Sequence, residues 1–379
     1  MKRFQTGKVV SGDAFIGREK IVSEIESYLA MDQSVVLIAP RRYGKSSIIQ
    51  KVIDDNKGNY KHVSIDLMQI QNKLILAEQI IAKTYAAAGM YGIIEKLRSG
   101  SLEVLSTIIN YLASMKLTMS DISLEFTEKL IKEGDGYKLL SHALDLPNIF
   151  AQKLGVKFLF TIDEFGEIDK LQSKNELLDL IRSTFQKQDE VVFLFAGSQY
   201  ALMTKIFKDK NSSFFKFAVS VDVPPMKGSD FKQLFKSVFY GNEISIPEDF
   251  ALEVEKISKG IPYYMVRIAQ QALVDAKISN NMNIYCYSVR KATLRVFQKE
   301  ESYFSLELNK LKGKKYDMIA LSAIANNRSF SKELSELGVA RQNANYVVKS
   351  LVKAGFLAKK KEYEIIDPFL KRYIQKVSI

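Results

Sequence analysis

The chain has 379 residues, enough for two or three domains of roughly 100–200 residues each, and its 47% hydrophobic and 26% charged content is that of an ordinary globular protein. No run of about 18 apolar residues occurs, so no membrane-spanning helix is expected, and the basic start MKRFQTGKVVSGD lacks the apolar stretch of a secretory signal. A single cysteine, Cys286, excludes an internal disulfide framework, and two distant histidines, His62 and His142, argue against a His/Cys metal site; the expected setting is cytoplasmic.

EKIVSEIESYLA (19–30) places Ile21, Ile25 and Leu29 at four-residue spacing, which predicts a helix. SVVLIA (34–39) is a short apolar run ending at turn residues, a buried strand, and 46–55 continues as a helix. HVSIDL (62–67) is a second strand. From about 70 to 150 the pattern is mostly helical. KFLFTID (157–163) and EVVFLFAGS (190–198) are further strands, with a helix at 175–186 between them. Apolar, non-alternating strands that alternate with helices predict an α/β fold, a parallel sheet covered on both faces. After Pro224 and Pro225 the strand signals fade into helices broken at 260–262. From about 301 three helix-like segments (316–327, 329–339, 340–357) precede a strand pair around a basic turn. The expected domains are a core over 1–225, a helical lid over 226–300 and a C-terminal module over 301–379.

The segment APRRYGKSS places Ala39, Gly44, Lys45 and Ser46 at P-loop spacing, with Ala39 where the strict form has glycine. The loop from Ala39 through Pro40 and Tyr43 to Ser46, with Ser47 next to it, would form a nest for phosphate oxygens from its backbone N–H groups, of which Pro40 has none, reinforced by the positive end of the following helix. Lys45 would reach the β- and γ-phosphates of ATP, and Ser46 would ligate Mg²⁺. Arg41 and Arg42 would touch phosphate or a partner, or stand as solvated loop charges. In KFLFTIDEF an apolar strand ends at Asp163, placed for the Mg²⁺ site, followed by Glu164 as a general base for water. Ser198, after the strand of FLFAGSQ, is placed to sense the γ-phosphate or to serve as a turn residue.

With these residues in place the chain resembles archaeal-type ATPases of the AAA+/STAND branch of P-loop NTPases. The resemblance rests on RRYGKSS (41–47), FIGRE (15–19), IDEF (162–165), AGSQYALM (196–203), GIP (260–262) and IIDPFLKRYI (365–374). It implies a P-loop NTPase core, a helical lid and a C-terminal winged helix-turn-helix. It also implies that Phe15, Ile16 and Gly17 line an adenine pocket fixed by Arg18 and Glu19, that Pro262 approaches the base, and that Arg267 is a candidate phosphate-sensing arginine. Relatives often carry a Gly-Arg pair in a stretch like SSFFKFA (212–218); here Lys216 and Phe217 stand there. No arginine occurs between Arg182 and Arg267, so a trans arginine finger is not evident, and only Lys205, Lys208, Lys210 or Lys216 could substitute, without the guanidinium fork. Self-association stays open, and slow, switch-like hydrolysis is expected.

Net charge is +12, and residues 301–379 hold 15 Lys/Arg against 8 Asp/Glu, more than half of that surplus in a fifth of the chain. In the third helix of this module Val347, Val348, Leu351 and Val352 would face the core, leaving Arg341, Gln342, Asn343, Asn345 and Lys349 exposed. Gln and Asn can read adenine edges and Arg can read guanine. Lys359, Lys360 and Lys361 would form the wing tip, suited to phosphate contact. DNA is therefore the expected partner. The alternative is a signalling or scaffold ATPase whose winged helix and helical insert bind proteins.

Overall fold

The computed structural model of the chain describes residues 3–89, 136–359 and 361–377. The expected helical stretch at 70–150 therefore falls partly, over 90–135, outside the described residues, as does Lys360 of the wing.

In chain order, the first half contains α1 (Glu19–Ala30), β1 (Val35–Ile38), α2 (Lys45–Asp55), β2 (Tyr60–Asp66), α3 (Lys73–Ala87), α4 (Gly136–Leu154), β3 (Lys157–Asp163), α5 (Lys174–Phe185), β4 (Val191–Gly197), α6 (Tyr200–Lys208) and β5 (Val219–Asp222). The strands form one five-stranded sheet in the order β2-β3-β4-β1-β5, and every pair is parallel. Alternate residues of each central strand enter opposite cores, which explains their unbroken apolar character. Val36, Phe160, Phe193 and Phe195 face one layer, with α3, α4 and α5. Val35, Leu37, Leu159 and Leu194 face the other, with α1 and α2. The first layer is aromatic: Phe195 meets Phe165 at 5.0 Å and Phe207 at 5.2 Å, and Phe185 stacks on Phe193 at 3.9 Å between ring centroids.

β5 was not expected from the sequence. It is an edge strand in which only Val221 is buried, so neither continuous apolarity nor a clean alternation marks it. Its pairing with β1, from Val35 opposite Val219 to Ile38 opposite Asp222, encloses β1 between two neighbours.

The second half contains α7 (Gly228–Tyr240), α8 (Phe250–Ser258), α9 (Pro262–Ile278), α10 (Cys286–Asn309), α11 (Lys315–Ala325), α12 (Phe330–Glu336), α13 (Arg341–Lys353), the antiparallel hairpin β6 (Leu357–Lys359) and β7 (Tyr363–Ile365), and α14 (Pro368–Val377). Three helices followed by a two-stranded wing is winged-helix architecture. The expected boundary at 300/301 falls inside α10, a single helix of 24 residues. The physical reason is a shared core: one continuous hydrophobic cluster runs from Met226 to Ile374. Phe297 and Phe304, on either side of that boundary, both pack on the last helix, against Phe369 and Tyr373. Lid and winged helix are thus joined by burial as well as by chain.

Replacing Phe195 by alanine should lower stability by roughly 3–5 kcal/mol, the usual range for emptying an aromatic site in a packed core. A urea titration of the full chain followed by circular dichroism checks it; a midpoint within error of the parent would contradict the packing described.

Candidate functional site

The carboxyl ends of β1, β4 and β3, three successive strands of the sheet, deliver the P-loop, Ser198 and the Asp163–Glu164 pair to one edge. This is where open α/β sheets place ligands. The loop leaves β1 at Ile38 and enters α2 at Lys45. Gly44 caps α2 in the left-handed region at φ 86°, and a Cβ there would meet nothing within 4 Å. The glycine is therefore required by the backbone path rather than by crowding. The first-turn amides of α2 have no acceptor within the helix, and they point to the same side as its positive end.

Lys45 is buried, 5% exposed. Its ammonium donates to the carbonyls of Ala39 at 2.9 Å and Pro40 at 3.2 Å. Burial pushes its pKa down, while the nearby Glu164 and Asp163 carboxylates hold it up. The Ser46 hydroxyl donates to Asp163 Oδ2 at 2.5 Å. Burial pushes the Asp163 carboxyl above its ordinary range, against the hydrogen bonds from Ser46 and the Glu164 amide. A hydroxyl and a carboxylate oxygen this close form a hard oxygen pair, the donor set a magnesium ion takes while retaining several waters. The residues present therefore fit Mg²⁺ beside a phosphate nest. Among the described residues no cluster of three His, Cys, Asp or Glu could hold a metal without such help.

Glu164 has a left-handed backbone at φ 49°. Its Oε2 accepts from the Ser198 amide at 3.0 Å and the Ser198 hydroxyl at 2.6 Å. The expected base and the expected sensor are thus brought together, and the serine holds the carboxylate. Glu167 was not anticipated: this buried acid accepts from Gln199 at 3.0 Å, pairs with Lys170 and lies 3.9 Å from Arg41. The acid-rich IDEFGEID was its only trace in the sequence.

Beside the loop lies an apolar cleft lined by Phe15, Ile16, Tyr43, Met226, Pro262, Tyr263 and Val266, with Gly44 and Ser47 also in its wall. Within the 15–19 element Phe15 and Ile16 line this cleft, whereas Gly17, also expected there, is not in its wall. Arg18 is buried and donates to the Tyr43 carbonyl at 3.4 Å, and Glu19 accepts from the Gly17 amide at 3.0 Å. Burial lowers the Arg18 pKa and the Asp230 carboxylate raises it. Arg267 lies one turn into α9, with its guanidinium donating to Gln270 on its own helix at 3.3 Å, and is not part of the cleft wall. The Arg182 guanidinium carbon lies over the Phe217 ring, 4.5 Å from its centre. Lys216, at φ 58°, has its ammonium 5.4 Å over the Phe215 ring.

In the winged helix, Arg341, Gln342, Asn343, Asn345 and Lys349 are all exposed on α13, and Lys359 and Lys361 are exposed on the wing. Tyr346, which no sequence motif marks, is 70% exposed on the same helix, with the Lys349 ammonium over its ring. α13 also lies against α6 of the core, so the module is docked on the sheet domain.

At Gly17 (φ 69°) a Cβ would fall 2.4 Å from the Met226 methyl and 2.7 Å from Asp230 Cβ. Gly17→Ala should therefore destabilise the chain by about 1–3 kcal/mol through backbone strain and displacement of α7. A thermal melt compared with the parent checks this, and an unshifted transition would count against it.

The sequence matches no known family profile and no curated protein. Solved structures do match. The chain is similar to the Walker-type ATPase PABY2304 of Pyrococcus abyssi, at 19% identity over 98% of this chain and 99% of that one, with a TM-score of 0.71. It is similar to the ORC2 protein of Aeropyrum pernix in ADPNP–ADP complexes, at 13% identity, 95% and 91% coverage and a TM-score of 0.56. It is also similar to the ORC1 protein of Aeropyrum pernix in complex with DNA, at 13% identity, 97% and 94% coverage and a TM-score of 0.50. With its five-stranded parallel sheet, the chain shares the α/β P-loop NTPase fold of these structures.

Proposed function

We propose that the chain is a Mg²⁺-dependent ATPase that works as a nucleotide switch and binds DNA through its winged helix. The observation that carries this reading is the 2.5 Å contact of Ser46 with Asp163 beside the buried Lys45 ammonium. It supports a reading in which the loop before α2 is a phosphate nest, Ser46 and Asp163 are a cation's oxygen donors and the adjoining Glu164 is a general base. Lys45 and the α2 amides would bind the β- and γ-phosphates, and the apolar cleft around Phe15, Ile16 and Pro262 would take the base. Ser46 and Asp163 would hold Mg²⁺, which when bound neutralises charge on the phosphates and fixes their orientation. Glu164 would accept the proton of the attacking water. It must first exchange its bonds to Ser198, and this supports slow turnover. The Aeropyrum pernix ORC2 structure with ADPNP and ADP supports the choice of nucleotide.

Arg341, Gln342, Asn343, Asn345 and Lys349 would face the bases of DNA, and Lys359, Lys360 and Lys361 the phosphates. The charge surplus of 301–379 supports a polyanion there, as does the Aeropyrum pernix ORC1 structure in complex with DNA.

Lys45→Ala should abolish Mg²⁺-dependent ATP binding. Glu164→Gln should keep binding but slow hydrolysis by about a hundredfold or more, the usual contribution of a general base. Calorimetry and single-turnover phosphate release read both; full turnover in Glu164→Gln would leave the assigned base without support.

Replacing Lys359 and Lys361 by alanine should weaken binding to duplex DNA evenly across sequences and make the salt dependence of log K shallower by about one per lysine. Fluorescence anisotropy at several salt concentrations measures it. Salt-independent or undetectable DNA binding by the parent would favour a winged helix that contacts protein.

A further inference from the structure

Arg42 belongs to the P-loop, yet its side chain leaves the phosphate nest. Its backbone is left-handed at φ 72°, which turns the guanidinium into a closed cage built by the second half of the chain. Nη2 donates to Glu300 at 3.0 Å, and Nη1 donates to Asp367 at 3.3 Å and to the Tyr264 hydroxyl. The guanidinium carbon lies 4.5 Å from the ring centres of both Tyr263 and Tyr303. Tyr263 and Tyr264 come from α9, Glu300 and Tyr303 from α10, and Asp367 from the turn before α14. One side chain thus ties the P-loop to the lid and to the winged helix.

The cage members also hold one another. The Tyr263 hydroxyl donates to Glu300 and the Tyr264 hydroxyl to Asp367, each at 2.6 Å. Tyr264 stacks on Phe369 of α14 at 4.1 Å. Asp367 Oδ1 accepts from the Phe369 and Leu370 amides, at 2.9 and 3.1 Å, so the residue that grips Arg42 also caps the last helix. Burial pushes the Asp367 carboxyl up, against the hydrogen bond from Tyr264 and the charge of Arg42. Without Arg42, the Glu300 and Asp367 carboxylates, with side chains 9% and 22% exposed, would lose the cation that bridges them. The cage also shares a wall with the cleft: Arg42 and Tyr263 line both, and Tyr43 next to Arg42 packs against the lid core.

We propose that Arg42 is a latch through which the docked winged helix holds the nucleotide cleft closed, so that withdrawing Asp367 and Glu300 loosens nucleotide at the P-loop. The inference rests on the reading above, that the cleft holds the nucleotide. Coupling of this kind is reciprocal: nucleotide in the cleft steadies the docking of the winged helix, and a partner that pulls the winged helix away weakens nucleotide binding by the same factor. Arg41 lies 3.9 Å from Glu167 instead, and its charge also acts on Tyr303 of the cage.

The test uses the full chain carrying Asp367→Asn with Glu300→Gln. Asparagine is still a competent helix cap, so α14 keeps its start while both charges are removed. Two readouts are taken: hydrogen exchange of 341–353 and 368–377 without nucleotide, and affinity for a fluorescent ADP with Mg²⁺. Faster exchange in those segments together with an affinity loss of about tenfold is the expected result. Exchange equal to the parent overturns the latch. Faster exchange with parental affinity overturns its link to the cleft. A parent chain that binds no ADP overturns the nucleotide reading, and the exchange arm then judges the contact by itself. If exchange rises throughout the double variant, the same two readouts on Glu300→Gln alone decide the matter by the same criteria.

Discussion

The arrangement depends on a lysine ammonium held almost out of water at the end of the central strand. Lys45 is 5% exposed, and such a charge is tolerated only where oxygen atoms surround it. Here they are the Ala39 and Pro40 carbonyls, with the Asp163 and Glu164 carboxylates as the nearest opposite charges. That requirement fixes the position of β3 relative to β1. The two acids must end their strand beside the P-loop, and the order β3-β4-β1 places them there with one strand between. The same constraint brings Ser198, at the end of the intervening strand, onto Glu164.

The second organising feature is the way in which the two P-loop arginines diverge. Arg41 keeps a long contact with Glu167 inside the sheet domain and stays half exposed. Arg42 crosses to the other half of the chain and is largely buried among three tyrosines and two acids. The difference follows from the backbone: a left-handed residue between two ordinary ones reverses the direction of its side chain. The loop that would bind phosphate is consequently in mechanical contact with the element that would bind DNA. No separate linker or transmitting helix is needed, because lid and winged helix already share one core.

The surface of the winged helix fits this picture. Its base-reading candidates are exposed while its apolar stripe, with Val348 and Leu351 fully buried, joins that core. α13 rests on α6, so the helix that carries these residues is also the one docked on the sheet domain. Tyr346 adds an aromatic face among the polar residues, a group that can stack on bases or sugars.

Residues whose role is decided by their immediate neighbours could be read in the sequence. The strands β1, β3 and β4 declared themselves because a strand buried on both faces is apolar at every position. The nest from Ala39 to Ser46 did so because spacing alone sets the geometry of a loop between strand and helix. The acids at Asp163 and Glu164 followed from the strand that precedes them. The winged helix followed from helical periodicity and a basic turn. What only the tertiary structure decided concerns partners distant in the chain. β5 has one buried residue and exists because β1 offers it an edge. The fate of Arg42 depends on Glu300 and Asp367, 258 and 325 residues away, and a charged side chain in a glycine-bearing loop carries no local mark of which cage it will enter. The same holds near 300/301: a change of pattern along the chain reports local composition, whereas the extent of α10 across that point is set by Phe297 and Phe304 finding one common core.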